Sequence, residues 1–220
     1  MTGRDPRRPL GRRLLAILFP ERCAACGEVI RPGEGVCSAC RGELPRIGIP
    51  ICPFCGREAA FCRCGKRHRH FERVVAPFYY DDAARSGMLR MKASGDRAAA
   101  AFFAGEMAET VRQYYADISF DGVVFVPSGR IAMRERGYNP GRLVAEELAR
   151  DLGLPVRPIL RKVVENRQQK SLTADERSGN VLGVFDLVDE AAADGKTFLL
   201  ADDIVTTGST LDECAKMLKI

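Results

Sequence analysis

Near its C-terminal end the chain carries two adjacent acids and then a run of hydroxyl residues around one glycine. The acids are Asp202 and Asp203, and the run consists of Thr206, Thr207, Gly208, Ser209 and Thr210. Carboxylates accept hydrogen bonds from sugar hydroxyl groups but repel phosphate. Hydroxyl groups and free backbone amides donate to phosphate, and a glycine lets the backbone approach it closely. The combination indicates a site for a ribose that carries a 5′-phosphate.

The residues on either side of this run have the pattern of a strand followed by a helix. Residues 198–201 are a short apolar run typical of a buried strand, and residues 211–218 place apolar side chains at helical spacing. The run therefore ends at a helix N-terminus, where unpaired N–H groups and the helix dipole favour an anion. An ordinary strand-to-helix turn with a Thr or Ser cap is the alternative, but such a cap needs no acid pair before it.

Eight of the nine cysteines lie between residues 23 and 64, in closely spaced pairs. The pairs are Cys23 with Cys26, Cys37 with Cys40, Cys52 with Cys55, and Cys62 with Cys64. Four thiolates at such spacing favour a closed tetrahedral zinc site with a structural role. Pairing in the order of the sequence predicts two sites, and an interleaved pairing is the alternative. A disulfide framework would require a secreted chain, and the N-terminal residues lack the pattern of an export signal.

The overall composition fits one domain of usual size with a small appendage. The 220 residues are 46% hydrophobic and carry a formal net charge of +5. No apolar run reaches the length of a bilayer span, so we expect a cytoplasmic protein without a membrane span. The modest positive charge suits anionic ligands, including nucleic acid, without requiring them.

Strand and helix patterns alternate after the cysteine-rich region and predict a parallel α/β sheet. Residues 74–80, 122–126 and 156–160 have strand patterns. Helices are expected after Asp81 or Asp82, after Asp96 and after Asn139, because these side chains cap helix N-termini. Residues 127–130 form a turn at the carboxyl end of the second strand, where open parallel sheets bind ligands.

That turn and a polar segment further along complete the expected site. Backbone amides of Ser128, Gly129 and Arg130 are expected to face a pyrophosphate, with Arg134 and Arg136 supplying further charge. Residues 165–183 are polar and poor in core residues, which predicts a mobile loop that closes over substrate. The loop residues with suitable side chains include Arg167, Gln169 and Arg177. An inert surface hairpin is the alternative for this segment.

Residues 198–210 resemble the phosphoribosyl pyrophosphate (PRPP) motif of the type I phosphoribosyltransferases at all thirteen positions. The chain as a whole is similar to the ComF family, over a span from about residue 14 to residue 218. The resemblance is carried by the segments 14–20, 88–92 with 95–96, and 134–139, and by Gln169, Leu172, Glu176, Arg177, Asn180, Gly183 and Phe185. Pro140 and the pair Ser128-Gly129 depart from the family pattern.

The resemblance implies an α/β fold with a type I phosphoribosyltransferase-like parallel sheet flanked by helices, preceded by a small cysteine-rich zinc-ribbon region. The implied divisions are a basic tail over residues 1–13, a double zinc-ribbon region over residues 14–73 and a phosphoribosyltransferase-like domain over residues 74–220. Family members continue through another strand after the last helix, so we expect this chain to be truncated at its C-terminus.

The implied activity is transfer of the phosphoribosyl group from PRPP to a nitrogen acceptor that the sequence does not identify. Asp202 and Asp203 would hold the ribose hydroxyls, residues 206–210 the 5′-phosphate, and Mg²⁺ would bridge the pyrophosphate and the ribose. The pyrophosphate would meet Ser128 to Arg130, with Arg136 and Lys92 as further sources of charge.

A second hypothesis from a different class is a competence protein that binds single-stranded DNA and uses the PRPP site for binding or sensing. It rests on the zinc ribbons and on the basic residues between Cys62 and Arg73, which suit a nucleic-acid backbone. Its partners would be DNA and competence-machinery proteins. A solvated linker is the alternative for the basic residues, and metal binding is the alternative for His68 and His70. A PRPP-binding regulator without DNA contact is a third hypothesis.

Overall fold

The computed structural model describes residues 20–65, 69–163 and 183–219. The expected basic tail over residues 1–13 and the loop residues Arg167, Gln169 and Arg177 lie outside the described residues. Within those ranges the helices are α1 (Ser38–Glu43), α2 (Asp82–Ser94), α3 (Arg97–Tyr114), α4 (Arg130–Arg136), α5 (Pro140–Leu152) and α6 (Ser209–Leu218). The strands are β1 (Gly122–Phe125), β2 (Leu160–Lys162), β3 (Phe185–Leu187) and β4 (Phe198–Ala201), and a 3₁₀ turn covers Ala59–Phe61.

The capping residues expected from the sequence begin the three central helices. Asp81 accepts a hydrogen bond from the backbone at the start of α2, and Asp96 accepts two from α3. Asn139 does the same for α5, which ends at Gly153. Each of these side chains satisfies an amide that has no partner within its helix. The caps at Asp96 and Asn139 are confirmed, and of the two alternatives for the first helix the cap is Asp81.

The parallel pairing expected from the sequence is confirmed by β1 and β4. Gly122 to Phe125 pair in register with Phe198 to Ala201, and Val123 forms a parallel bridge with Val156. Helix α5 packs on both strands and α3 packs on α5, where small side chains allow close approach. Strands β2 and β3 form a separate antiparallel pair. The strand predicted over residues 156–160 therefore reduces to one bridge at Val156, and β2 begins at Leu160.

The strand predicted over residues 74–80 is wrong. This segment makes only one isolated bridge, between Phe78 and Arg46. Pro77 has no N–H group to give to a sheet. The segment's backbone instead bonds to the cysteine-rich region, through Tyr79 N to Pro45 O at 2.8 Å and Ile47 N to Pro77 O at 3.1 Å. The apolar composition of this segment suggested a strand, but its backbone bonds to residues that do not belong to any strand.

The first cysteine knuckle is built into the core through α2. Arg90 donates to the carbonyl oxygens of Cys23, Ala24 and Ala25 at 2.8, 2.9 and 2.8 Å. Those three residues are fully buried beside Met88 and Met91. Lys92 lies two residues beyond Arg90 on the same helix. Helix α2 therefore both holds the knuckle, through Arg90, and positions Lys92.

Replacing Gly87 of α2 with Ala is expected to lower the free energy of unfolding by about 1–3 kcal/mol. A Cβ atom there would overlap the carbonyl oxygen of Ala24 and lie 2.8 Å from Cζ of Phe103. Gly105 of α3 is the matched control, because a Cβ atom there meets only Asp151 Oδ2, at 3.6 Å. Gly105→Ala is expected to stabilise by about 0.5–1 kcal/mol through helix propensity. Urea unfolding measures both, and equal effects would contradict the close packing of α2 on the knuckle.

Candidate functional site

Two cysteine tetrads form in the order of the sequence, and the interleaved alternative does not occur. Their members are Cys23, Cys26, Cys37 and Cys40 in the first, and Cys52, Cys55, Cys62 and Cys64 in the second. Within each tetrad the sulfur atoms all lie within 4.8 Å of one another. Tetrahedral zinc with bonds of about 2.3 Å requires sulfurs about 3.8 Å apart. The measured Cys26–Cys37 and Cys52–Cys64 separations are both 3.9 Å.

The protein surroundings favour thiolate, the form that binds metal, at Cys23 and Cys52, whereas the pKa values of Cys26, Cys40, Cys55 and Cys62 are raised. Burial raises the pKa of Cys23, but backbone N–H groups of Cys26 and Cys37 that point at its sulfur lower that pKa to about 6. Burial likewise raises the pKa of Cys52, and hydrogen bonds from Cys62 and the knuckle backbone lower it to about 7. The donor sets therefore fit structural zinc at both tetrads, without an open position for catalysis. The ninth cysteine, Cys214, is fully buried in α6, as its apolar surroundings predicted.

The two acids stand at the carboxyl end of β4, next to a lysine from α2. Asp203 Oδ2 lies 2.6 Å from Lys92 Nζ, and these side chains are 11% and 29% exposed. The backbone N–H of Asp203 donates to Asp202 Oδ1 at 2.9 Å. Burial and the charge of Asp203 raise the pKa of Asp202 to about 8, although Lys92 acts in the opposite direction. Lys92, expected at the pyrophosphate, is thus bound to the acid pair.

The phosphate loop is the name used here for residues 206–210, which lead into α6. Gly208 precedes α6 with φ of +76°, a left-handed conformation that suits glycine. Thr207 Oγ1 lies 3.0 Å from Ser209 Oγ. Gly208 has no side chain with which to cap α6, and Ser209 N donates to Thr207 Oγ1 at 3.4 Å. A helix N-terminus of this kind can bind an anion through the amides of its first turn. This geometry agrees with the strand, acid pair, loop and helix expected from the sequence.

The turn expected to face pyrophosphate follows β1, the parallel neighbour of β4. Val126 N donates to Ala201 O at 3.0 Å, so the segments after both strands leave the same edge of the sheet. Gly129 precedes α4, a short helix that the sequence analysis did not predict. Arg130 and Arg136 are exposed at its two ends, and Ser128 is half-buried. Their contact with pyrophosphate stays a prediction.

Two residues of the 134–139 segment position the site in ways that sequence reasoning missed. Tyr138 Oη donates towards the carbonyl oxygens of Met91 and Lys92, at 2.9 and 2.7 Å. Asn139 was expected only as a helix cap, and its Nδ2 also donates to Val126 O at 3.0 Å. The tyrosine fixes the end of α2 that carries Lys92, and the amide joins α5 to the end of β1. The signature of this segment was visible in the sequence, but its partners are 13 to 47 residues away.

The basic residues after the second tetrad are engaged with the rest of the protein where the structure describes them. Arg73 pairs with Asp117 at 2.7 Å, and Arg69 donates to Thr207 O at 2.8 Å. His70 contacts Asp212, and neither tetrad includes a histidine. Lys66, Arg67 and His68 lie outside the described residues. The hypothesis of a solvated linker is therefore wrong for Arg69, whereas Arg73 is exposed at the surface.

A cleft of about 430 Å³ runs between residues 70–80 and β4 and reaches the acid pair at one end. Its lining is mainly apolar and does not include residues 206–210. Such a lining offers few donors to a sugar phosphate, so we place the candidate site at the edge of the sheet where acids and phosphate loop meet. Among the helices of the described ranges, none combines the length and apolarity needed to cross a bilayer.

Comparison with known proteins agrees with both halves of this arrangement. A double zinc ribbon domain matches residues 14–71, and a phosphoribosyl transferase domain matches residues 139–220. The chain is 28% identical to competence protein F of Haemophilus influenzae over 213 residues, which are 91% of this chain and 92% of that one. It is 30% identical to competence protein ComFC of Bacillus subtilis over 200 residues, 86% of this chain and 80% of the relative.

A third relative carries a different name. The chain is 28% identical to DNA utilization protein YhgH of Salmonella typhimurium over 193 residues, 84% of each chain. No solved structure matches. The family resemblance stated from the sequence is confirmed, because the double zinc ribbon, the phosphoribosyltransferase domain and the extended identity agree. The chain belongs to the ComF family of competence proteins.

Proposed function

We propose that this protein binds PRPP and transfers its phosphoribosyl group to a nitrogen acceptor. The observation that carries the proposal is that Asp202 and Asp203 directly follow β4 and lead, through the phosphate loop, into the N-terminus of α6 at Gly208. The carboxylates would accept hydrogen bonds from the ribose hydroxyls, and the phosphate loop would bind the 5′-phosphate. The PRPP would lie along the carboxyl edge of β1 and β4, in the phosphoribosyltransferase-like domain that we assign to residues 74–220.

The reaction requires a lone pair of the acceptor nitrogen to form a bond to the anomeric carbon while the bond to pyrophosphate breaks. Positive charge develops on the ribose and negative charge on the leaving group. Backbone amides of Ser128 and Gly129 would face the pyrophosphate, with Arg130 and Arg136 nearby in sequence. Lys92 brings a positive charge to the acid pair at 2.6 Å and so limits its repulsion of the anionic ligand. Arg167, Gln169 and Arg177 lie outside the described residues, and their part in excluding water stays a prediction from the sequence.

Magnesium fits the chemistry of these residues. Mg²⁺ prefers oxygen ligands and is bound in proteins through one or two carboxylates together with substrate phosphates. Asp202 and Asp203 supply such carboxylates at the ribose end of the site. When bound, the ion would act as a template and Lewis acid for the pyrophosphate.

A role in DNA uptake is the second candidate function. The names of the relatives in Haemophilus influenzae, Bacillus subtilis and Salmonella typhimurium refer to competence or DNA utilization. The exposed arginines of α4 give the structure a cationic surface beside the site. In this function the protein binds single-stranded DNA together with competence-machinery proteins, and PRPP serves for binding or sensing.

Titration calorimetry with PRPP and Mg²⁺ tests the first proposal. Replacing both acids, in Asp202→Asn/Asp203→Asn, is expected to weaken PRPP binding at least ~30-fold, because the carboxyl oxygens that would accept from the ribose hydroxyls are replaced by amides. The control Asp117→Asn/Asp121→Asn makes the same two side-chain replacements, with Asp121 bonded to Thr197 N at the opposite end of the strands. Equal affinity in both double variants would contradict the assigned role of the acids.

Single-stranded DNA at two salt concentrations separates the two functions. A steep decrease of affinity with salt indicates contacts with the phosphate backbone and supports the second candidate. Consumption of PRPP with a panel of nitrogen bases supports the first and identifies the acceptor. A protein that binds neither PRPP nor DNA would contradict both.

A further inference from the structure

Four consecutive residues that follow the second tetrad contact the phosphate loop, α6 or Lys219, the residue directly after α6. We call residues 69–72 the ribbon exit segment, because it leaves the zinc-ribbon region towards residues that are far away in sequence. Arg69 Nη2 donates to Thr207 O at 2.8 Å, and His70 N donates to Asp212 Oδ1 at 2.6 Å. The ring of Phe71 lies 3.8 Å from the position of a Cβ on Gly208. Glu72 pairs with Lys219 at 2.5 Å.

The contact of Arg69 with Thr207 determines where the next amide points. In a trans peptide the C=O group and the following N–H group point in opposite directions. Because Arg69 binds the oxygen of Thr207, the N–H group of Gly208 points away from the guanidinium. Gly208 immediately precedes α6, so its amide belongs to the group that would bind the phosphate.

The second contact of the ribbon exit segment concerns an acid in the first turn of α6. Asp212 places a negative charge at the end of the helix where the phosphate is proposed to bind. Its carboxylate accepts from His70, with Nδ1 at 3.2 Å, and lies 3.7 Å from Arg69 Nη1. Burial acts to raise the pKa of Asp212, but His70 and Arg69 lower it overall, so the acid is ionised at neutral pH. An ionised acid at this end of the helix repels a phosphate unless a cation balances it.

We infer that Arg69 is a positioning residue for the sugar-phosphate site, contributed by the ribbon exit segment. It orients the Thr207–Gly208 peptide towards the ligand and balances the charge of Asp212. The inference rests on the proposed function, because it assumes that the phosphate loop binds the 5′-phosphate. It gives the zinc-ribbon region a direct part in that binding, in addition to its packing on α2.

Ribose 5-phosphate and inorganic pyrophosphate are the probes that test the inference, alongside PRPP. Arg69→Ala is expected to weaken the binding of ribose 5-phosphate and PRPP by the same factor, about 10-fold to 100-fold. Pyrophosphate affinity is expected to stay unchanged, because that group binds elsewhere. Arg73→Ala is the matched control, since it removes an arginine charge four residues further along the chain. Arg73 pairs with the exposed Asp117 instead of with the phosphate loop. Zinc content and the urea midpoint are measured for each variant.

Variants of Asp212 separate the two parts of the role. In an Asp212→Asn background, Arg69→Ala is expected to cost less than in the natural sequence, because no acid remains to be balanced. Arg69→Lys is expected to recover part of the affinity, since lysine supplies the charge without the planar fork. An equal cost of Arg69→Ala in both backgrounds would contradict the charge-balancing role.

The outcomes also distinguish this inference from the proposed function. If the unmodified protein binds PRPP and ribose 5-phosphate and Arg69→Ala binds them equally well, the inference is wrong and the proposed function stands. If Arg69→Ala weakens pyrophosphate as much as ribose 5-phosphate, the role of Arg69 at the 5′-phosphate is also contradicted. If the unmodified protein binds neither sugar phosphate, both the proposed function and the inference fail.

Discussion

Removal of zinc is expected to unfold the cysteine-rich region and to destabilise the packing of α2. Each tetrad closes a short, loop-rich segment whose buried apolar residues are few, among them Ile30, Val36 and Leu44. Such a region does not fold on its core alone. The apparent free energy of zinc binding to zinc-finger peptides is about 10–16 kcal/mol, and in such sites binding drives folding. Arg90 of α2 donates hydrogen bonds to the backbone of the Cys23 knuckle. Unfolding of the knuckle is therefore expected to destabilise α2, the helix that carries Lys92.

Metal analysis and hydrogen exchange measure this result. We expect two zinc ions per chain, and chelation should remove the exchange protection of residues 20–65 before that of β1 and β4. Cys26 is exposed, so Cys26→Ser removes a ligand with little change in core packing, and it is expected to lower the zinc content. Cys214→Ser alters a buried cysteine outside both tetrads and is expected to keep two ions. Unchanged protection after complete zinc removal would contradict a structural role.

Replacing Asp202 with Asn is expected to change how stability depends on pH. The pKa of this carboxyl is about 8 in the folded protein, raised from 3.8 by burial and by Asp203. The folded form therefore holds a proton that the unfolded chain has lost, and stability falls as the pH rises from about 4 to about 8. The slope from this one group is on the order of 1 kcal/mol per pH unit. Asp202→Asn removes that slope and is expected to be more stable than the natural sequence at pH 8.

Urea unfolding is measured at intervals from about pH 4 to about pH 9 for Asp202→Asn and for the natural sequence. The difference between their two curves of unfolding free energy against pH isolates the contribution of Asp202. Asp117→Asn is the control, because Arg73 lowers the pKa of Asp117 and its contribution is lost only as the pH falls. This variant is expected to keep the decline towards alkaline pH. Parallel curves for Asp202→Asn and the natural sequence would show that Asp202 is not a buried, protonated group.

The sequence by itself determined the features that depend on short-range spacing. Cysteines two or three residues apart share one turn of backbone, so the pairs followed from the sequence, whereas the structure decided between sequential and interleaved tetrads. Asp81, Asp96 and Asn139 cap the helices they precede, because a cap bonds to amides that lie one to three residues away. The strand, acid pair and phosphate loop are likewise contiguous, so their order specified the candidate site.

Tertiary structure alone decided the contacts between residues far apart in the chain. Lys92 was expected to face pyrophosphate, but α2 places it 2.6 Å from Asp203. The basic residue Arg69 suited either DNA or solvent by its sequence, and it lies instead on the carbonyl of Thr207. Side-chain charge and hydropathy describe what a residue can bind, whereas its partner depends on which elements pack together. The contact between the ribbon exit segment and the phosphate loop therefore became visible only in the fold.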